Sequence, residues 1–323
     1  MFSKLKNKKV LVTGGAGFIG SHIVEALINQ DVKVTVLDNF FSGKESNLSS
    51  VLKDNKSITD NFELIRGDIR DLNDCRKAAG GADVIIHQAA LRSVPKSMET
   101  PYDYNDVNIN GTLNLLTAAR ELGVKRLVLA SSSSVYGDTD KFPQAEDAYP
   151  LLISPYALSK LAGEYYCRIF AEHFGVETVA LRYFNVFGPR QALDDEYAVV
   201  IPKFIDCILN DKKPPIFGNG KQSRDFTFID NVVLANVLAA TVDGISKEVF
   251  NVANGKDNSV LELVASLNSI LGKNIEPEFL PLRPGDVFRT LADISKLKKL
   301  TGFSPKVDFE QGLRRTVDYF VGK

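Results

Sequence analysis

Short apolar runs rich in β-branched residues alternate with longer amphipathic stretches through the first half of the chain. Residues 10–13, 33–38, 62–66, 83–87, 126–131 and 177–181 read as strands. Residues 18–30 read as a helix, with Ile19, Ile23, Ala26 and Leu27 on one face. Helical periodicity recurs over 71–79, 102–122 and 156–174. Strand–helix alternation of this kind predicts an α/β, doubly wound parallel sheet of the Rossmann type, covered on both faces. After about residue 182 the rhythm breaks. Pro189, Pro202, Pro214, Pro215, Pro277, Pro281 and Pro284 leave shorter elements, which predicts a smaller mixed α/β lobe. Two later stretches, near 231–243 and 249–252, are apolar enough to return to the large sheet. The expected division is a dinucleotide-binding domain over 1–182 and 225–256, and a second lobe over 183–224 and 257–323.

A chain of 323 residues fits two such units. Its 39 Lys plus Arg against 40 Asp plus Glu leave a net charge of −1, without the basic excess that nucleic acid or an anionic membrane surface would call for. Cys75, Cys167 and Cys207 are far apart, so neither a disulfide framework nor a metal site is expected. Idle thiols in a reducing compartment are the simplest reading. The cationic start is followed by an apolar run over 10–12 only, too short for a signal peptide, and no stretch approaches a membrane span. A cytoplasmic protein without membrane or nucleic-acid partners is expected.

The first strand runs into Gly14-Gly15-Ala16-Gly17-Phe18-Ile19-Gly20, which then opens a helix. Glycines at this spacing permit a tight turn, let a pyrophosphate approach the backbone, and let helix pack on strand. The helix N-terminus supplies N–H groups for phosphate. A tight βα turn alone also selects glycine. The acidic residue at the end of the next strand adds the discriminating context. Asp38 lies 18 positions past Gly20, where a carboxylate accepts from ribose hydroxyls and repels a 2′-phosphate. NAD is therefore favoured over NADP. Asp68 and Ile69, after the third strand, are placed to flank an adenine ring. His87, which closes the fourth strand ahead of Ala89 and Ala90, is expected to be packed and hydrogen-bonded rather than catalytic.

Tyr156 and Lys160 stand four apart and share a helix face. A tyrosine with a pKa of about 10 is a poor base. A neighbouring ammonium and a cationic nicotinamide would lower that value. Ser131-Ser132-Ser133-Ser134 end the fifth strand, on the side of an open α/β sheet where ligands bind. A hydroxyl there can donate to a substrate oxygen and relay a proton to Tyr156.

Together, GGAGFIG, SSSSVYG at 131–137, YALSK at 156–160, RYFNVFGPR at 182–190 and RPGD at 283–286 resemble the extended short-chain dehydrogenase/reductase superfamily. Within it, the chain is similar to the NAD-dependent nucleotide-sugar 4-epimerases of the UDP-glucose/UDP-N-acetylglucosamine type. The resemblance implies an isomerase with Tyr156 as base, Lys160 on the nicotinamide ribose, and Ser132 as the catalytic hydroxyl. It implies NAD contacts from Gly14, Gly17, Phe18, Ile19, Gly20, Asp38, Asn39, Asp68, Ile69 and Ala89. It implies substrate contacts from Ser93, Ser132, Ser133, Asn185, Arg224, Arg283, Asp286 and Thr290, with the two arginines on the diphosphate. A threonine at 290 implies room for an N-acetyl group, hence UDP-GlcNAc and UDP-GalNAc, with UDP-Glc and UDP-Gal as a second pair.

The resemblance leaves rivals. Dehydratases carry Asp-Glu, and decarboxylases Glu, just before Val-Tyr-Gly; Ser133 and Ser134 stand there and disfavour both. A UDP-glucuronate 4-epimerase remains open, and a non-catalytic NAD sensor would usually lack the Tyr156/Lys160 pair. The resemblance also implies a homodimer through 102–122 and 156–174, where Leu113, Leu116, Leu158, Leu161 and Ile169 exceed one buried stripe. The same residues would serve equally to cover the sheet.

Overall fold

A computed structural model describes residues 2–53, 61–192, 200–282 and 287–322. The first half supplies strands β1 (Lys9–Thr13), β2 (Lys33–Asp38), β3 (Phe62–Arg66), β4 (Val84–His87), β5 (Arg126–Ser132) and β6 (Glu177–Tyr183). The second half supplies β7 (Val186–Phe187), β8 (Pro215–Phe217), β9 (Ser223–Arg224), β10 (Thr227–Phe228), β11 (Glu248–Val252), β12 (Asn258–Ser259) and β13 (Glu278–Leu280). Seven strands form one parallel sheet in the order β3-β2-β1-β4-β5-β6-β11. This is the doubly wound order, with the switch point between β1 and β4.

The period of two along each strand divides the core. Val10, Val12, Val34, Val36, Val84, Ile86 and Val128 pack on one face beneath the helices Phe18–Ile28 and Ile229–Thr241. Leu11, Leu37, Ile65, Ile85, Leu127 and Leu129 pack on the other, beneath Leu72–Ala79, Gly111–Leu122 and Pro155–His173. Both apolar stretches from the second half do return: the helix Ile229–Thr241 covers the sheet and β11 extends it. The remaining short strands pair as β7 with β10, β8 with β13, and β9 with β12. Phe187, Phe226, Phe228 and Phe309 join this lobe to the sheet, with Phe226 stacked on Phe309 at 5.4 Å.

The predicted helix over 102–122 is broken into Pro101–Tyr104, a π-helical turn Asn105–Asn110, and Gly111–Leu122. The turn delivers Asn108, which accepts from the Leu91 N–H at 2.8 Å and donates to the Leu91 carbonyl at 3.0 Å and Ser159 at 2.9 Å. It thereby pins the loop after β4. The strand predicted over 126–131 runs one residue further, to Ser132. The helices Glu45–Lys53 and Val94–Glu99 were not evident from periodicity, because little of either is apolar. No helix among the described residues is long and apolar enough to cross a membrane.

Candidate active site

A cavity of about 1230 Å³ lies over the carboxyl ends of the sheet strands and extends to the second lobe. At one end it is floored by the glycine turn. Gly14 has φ +66°, and a Cβ on it would lie 2.7 Å from the Ala89 nitrogen. A Cβ on Gly20 would lie 2.1 Å from the Gly14 carbonyl oxygen. Only glycine permits this approach of turn, helix and β4 loop. The first helix begins with Gly17 at its N-cap, so no side chain covers its opening turn.

Asp38 is buried at the end of β2 and accepts from the Ala16 and Phe40 N–H groups, each at 2.8 Å. Burial pushes its carboxyl up, and these two hydrogen bonds oppose the shift. Asp68 accepts from Asn39 at 2.8 Å and from Arg70 at 2.7 and 3.0 Å, chiefly Arg70 holding it down at about 2. Ile69 packs on the start of the helix Gly111–Leu122, where a Cβ on Gly111 would lie 2.5 Å from its Cδ1. Phe18, Ile19, Asn39, Asp68, Ile69 and Ala89 all line the cavity. The glycine cradle and the buried carboxylate at the β2 end fit a dinucleotide.

At mid-cavity, β5 ends in Ser132, whose Oγ accepts from the Ser134 N–H at 3.1 Å and donates to Ser134 Oγ at 3.0 Å. Tyr156 sits in the first turn of Pro155–His173, a helix capped by Ser154, which accepts from the Ala157 N–H at 3.1 Å. The Tyr156 phenol is a near neighbour of the Ser132 hydroxyl, and its ring meets Tyr104 edge-on at 6.2 Å. Lys160 Nζ donates to the Ala130 carbonyl at 2.9 Å and lies 5.9 Å from the Tyr156 ring centroid. Burial pushes Lys160 down to about 8.

Arg92 adds a cation beside Tyr156 that the sequence did not single out. Burial pushes the phenol up, and the opposing influences are the Ser132 hydroxyl and the charge of Arg92. Lys160 keeps two further N–H donors beyond the one on the Ala130 carbonyl, and both Lys160 and Arg92 line the cavity. Lys160→Met is expected to lower turnover by about 10²-fold and also to reduce the NAD retained on purification. An unchanged NAD-to-protein ratio by absorbance after denaturation would separate Lys160 from the ribose.

Toward the second lobe, Asn185 Nδ2 donates to Thr290 Oγ1 at 2.9 Å. Arg224 Nη1 donates to the Ser223 and Phe288 carbonyls at 2.9 and 3.2 Å. Ser93, Ser133, Asn185, Arg224 and Thr290 all line the cavity. Arg283 and Asp286 lie outside the described residues. Behind Thr290, the buried Asp225 carboxylate accepts from the Asn254, Gly255 and Ala292 N–H groups at 2.9, 3.0 and 3.3 Å. Burial pushes Asp225 up from 3.8 to about 7. The folded protein thus holds this proton more tightly than the unfolded chain, so the associated stability is full below about 4 and is lost as pH rises to about 7. The stability of the wild type relative to Asp225→Asn should therefore fall across that window, measured by denaturant unfolding at stepped pH. A flat difference would refute the shift.

Arg92, Asp225 and the Gln88–Tyr183–Asn236 hydrogen-bond group were missed from the sequence. The only available signal was adjacency: Asp225 follows Arg224, and Arg92 precedes Ser93. His87 is packed as expected, between the Thr13 and Thr112 hydroxyls at 2.7 and 3.0 Å, and burial pushes it down to about 3. Burial pushes all three thiols up, Cys75 to about 12. Among the described residues no His, Cys, Asp and Glu group is arranged for a metal.

Residues 10–253 match the NAD dependent epimerase/dehydratase family. The chain is 37% identical over 317 residues to a UDP-glucose 4-epimerase of Mycolicibacterium smegmatis, covering 98% of this chain and 99% of that one. It superposes with a TM-score of 0.92 on a UDP-N-acetylglucosamine 4-epimerase from Methanobrevibacter ruminantium M1 in complex with UDP-N-acetylmuramic acid, at 44% identity, covering 98% and 99% of the two chains. A UDP-glucuronic acid 4-epimerase from Bacillus cereus, in complex with UDP-glucuronic acid and NAD, superposes with a TM-score of 0.88 at 36% identity, covering 97% and 99%.

Proposed function

The chain belongs to the NAD-dependent epimerase/dehydratase family, and from that premise we propose that it interconverts UDP-GlcNAc and UDP-GalNAc at C4, with UDP-Glc and UDP-Gal as a second pair. It is an NAD-dependent enzyme of nucleotide-sugar epimerisation. The observation that carries the N-acetyl substrate is Thr290, a short side chain in the cavity wall, tied to Asn185.

NAD, when bound, supplies the acceptor and donor of the C4 hydride. Gly14, Gly17, Gly20 and Asp38 would hold it at the β1 and β2 ends, and Lys160 would serve its nicotinamide half. Tyr156 takes the C4 hydroxyl proton, with Ser132 bridging oxygen to phenol, and gives it back from the same position. Arg224 holds the diphosphate by its guanidinium fork, together with Arg283. The 4-keto sugar turns over in a cavity walled by both lobes, where exclusion of water protects it. Turnover then needs no added cofactor; a steady rise in free NADH absorbance during catalysis would contradict this reading.

A panel of UDP-GlcNAc, UDP-Glc and UDP-GlcA, separated by chromatography, tests the substrate. Thr290→Tyr should fill the wall and cost the N-acetyl pair about tenfold or more in kcat/KM, while sparing UDP-Glc. Equal loss on both pairs would remove Thr290 from the argument. UDP-glucuronate is the second reading, favoured by Arg92, whose charge reaches the Tyr156 hydroxyl. Preference for UDP-GlcA, abolished by Arg92→Ala, would select it.

A second copy is the proposed partner of the outer face of Pro155–His173. Leu158 and Ile169 are 53% and 42% exposed there, beside Tyr165. Sedimentation should give twice the chain mass, and Leu158→Glu should halve it.

A further inference from the structure

The helix that carries Tyr156 and Lys160 carries a third ionisable group at the same interval. Glu164 lies four residues past Lys160, so all three share one face. Its carboxylate is met by Arg182 through two parallel bonds, Nε to Oε1 at 2.9 Å and Nη2 to Oε2 at 2.8 Å. Both side chains are only 5% exposed. Ser131 Oγ donates to the same carboxylate. Ser131 and Arg182 are direct neighbours in the β5–β6 register. The Arg182 guanidinium also lies 4.9 Å from the Tyr136 ring centroid and donates to the Glu146 carbonyl at 3.3 Å.

Three consecutive residues at the end of β5 are therefore tied to three positions on one helix face. Ala130 meets Lys160, Ser131 meets Glu164, and Ser132 meets Tyr156. The middle tie is the only one that closes an ion pair. Such pairs are weak as net stabilisers, since apolar replacements of similar volume often match them. Their bidentate geometry is nonetheless stiff, because two parallel bonds fix both distance and orientation.

We propose that the Glu164–Arg182 pair is a positioning device for proton transfer: it sets the Tyr156 helix against the serine end of β5, so that the Tyr156 phenol stays within reach of the Ser132 hydroxyl. This rests on Tyr156 being the base, as proposed above. Neither Glu164 nor Arg182 lines the cavity, so each acts through Ser131 and the helix rather than on substrate.

The test uses the full chain with its bound NAD and the variants Glu164→Met/Arg182→Met and Glu164→Gln. The double variant removes both charges at similar volume and should recover most of the thermal stability that breaking one partner loses. Its kcat should still fall about 10- to 100-fold, as a small displacement of a proton-transfer pair demands. NAD content and KM should hold to within about threefold, because nothing touching either ligand has changed. Tyrosinate absorbance supplies a substrate-independent readout. Subtracting the matching Tyr156→Phe variant isolates the Tyr156 titration, whose surroundings are Lys160, Arg92, Ser132 and Tyr104. That titration should move to higher pH as the Ser132 hydroxyl withdraws from the phenol. A kcat that returns with stability, or a Tyr156 titration that stays in place, overturns the proposal. Glu164→Gln carries the same readouts if the double variant does not fold. A wild type that epimerises no UDP-sugar would refute the proposed function, while the titration would still decide the positioning role.

Discussion

Tyr156→Phe is expected to lower epimerisation by about 10²- to 10⁴-fold, the usual range for a positioned acid–base group, and to leave NAD bound. The change removes one hydroxyl and nothing else. The ring keeps its edge-on contact with Tyr104, and Lys160 keeps its bond to Ala130. The phenol is where opposed influences meet: burial favours its protonated form, and the Ser132 hydroxyl and Arg92 charge favour the phenolate. The rate should therefore fall as pH drops below the Tyr156 pKa. Arg92→Ala should shift that limb to higher pH, since a cation that favours the phenolate is gone. Chromatography of the UDP-sugars gives the rate, and nucleotide released on denaturation gives the NAD content. A variant that keeps a tenth of the activity would show that Tyr156 is not the base. An Arg92→Ala profile with an unmoved limb would show that its charge does not reach the phenol in the working enzyme.

Gly20→Ala should be nearly as damaging for a different reason. The added methyl would stand 2.1 Å from the Gly14 carbonyl oxygen, 2.8 Å from its carbon and 2.9 Å from Gly15 Cα. All three are backbone atoms of the turn, so relief requires moving the turn that is to carry the pyrophosphate. Overpacking of this kind costs about 1–3 kcal/mol or more, and at about 1.4 kcal/mol per decade it implies a tenfold or greater loss of NAD affinity. Gly17 is the control. Its φ of −75° suits any residue, and the nearest atom to an added Cβ is the Gly14 oxygen at 3.2 Å. Gly17→Ala should therefore cost less in melting temperature than Gly20→Ala. Equal losses at the two sites, or full NAD retention in Gly20→Ala, would mean that the turn tolerates displacement.

Local pattern was enough for much of this molecule. The short apolar runs within 33–38 and 62–66 are closed by Asp38 and Arg66, and both strands span the residues the sequence assigned them. The glycine turn between strand and helix, and the acid closing the next strand, could be read because each depends on neighbours in sequence. So could the pairing of Tyr156 with Lys160 on one helical face, since four residues make about one turn. Tertiary structure decided the rest, because the sheet order β3-β2-β1-β4-β5-β6-β11 brings together residues that no spacing connects. Arg92, from the loop after β4, brings a charge to the Tyr156 phenol that no sequence spacing announces. Glu164 meets Arg182 because β6 lies beside β5, and Asp225 grips Asn254, Gly255 and Ala292 because three distant segments converge behind Thr290. Periodicity along a chain reports which face of an element is apolar. It carries no record of which polar side chain from another element will meet it, and in this protein those meetings set the electrostatics of the site.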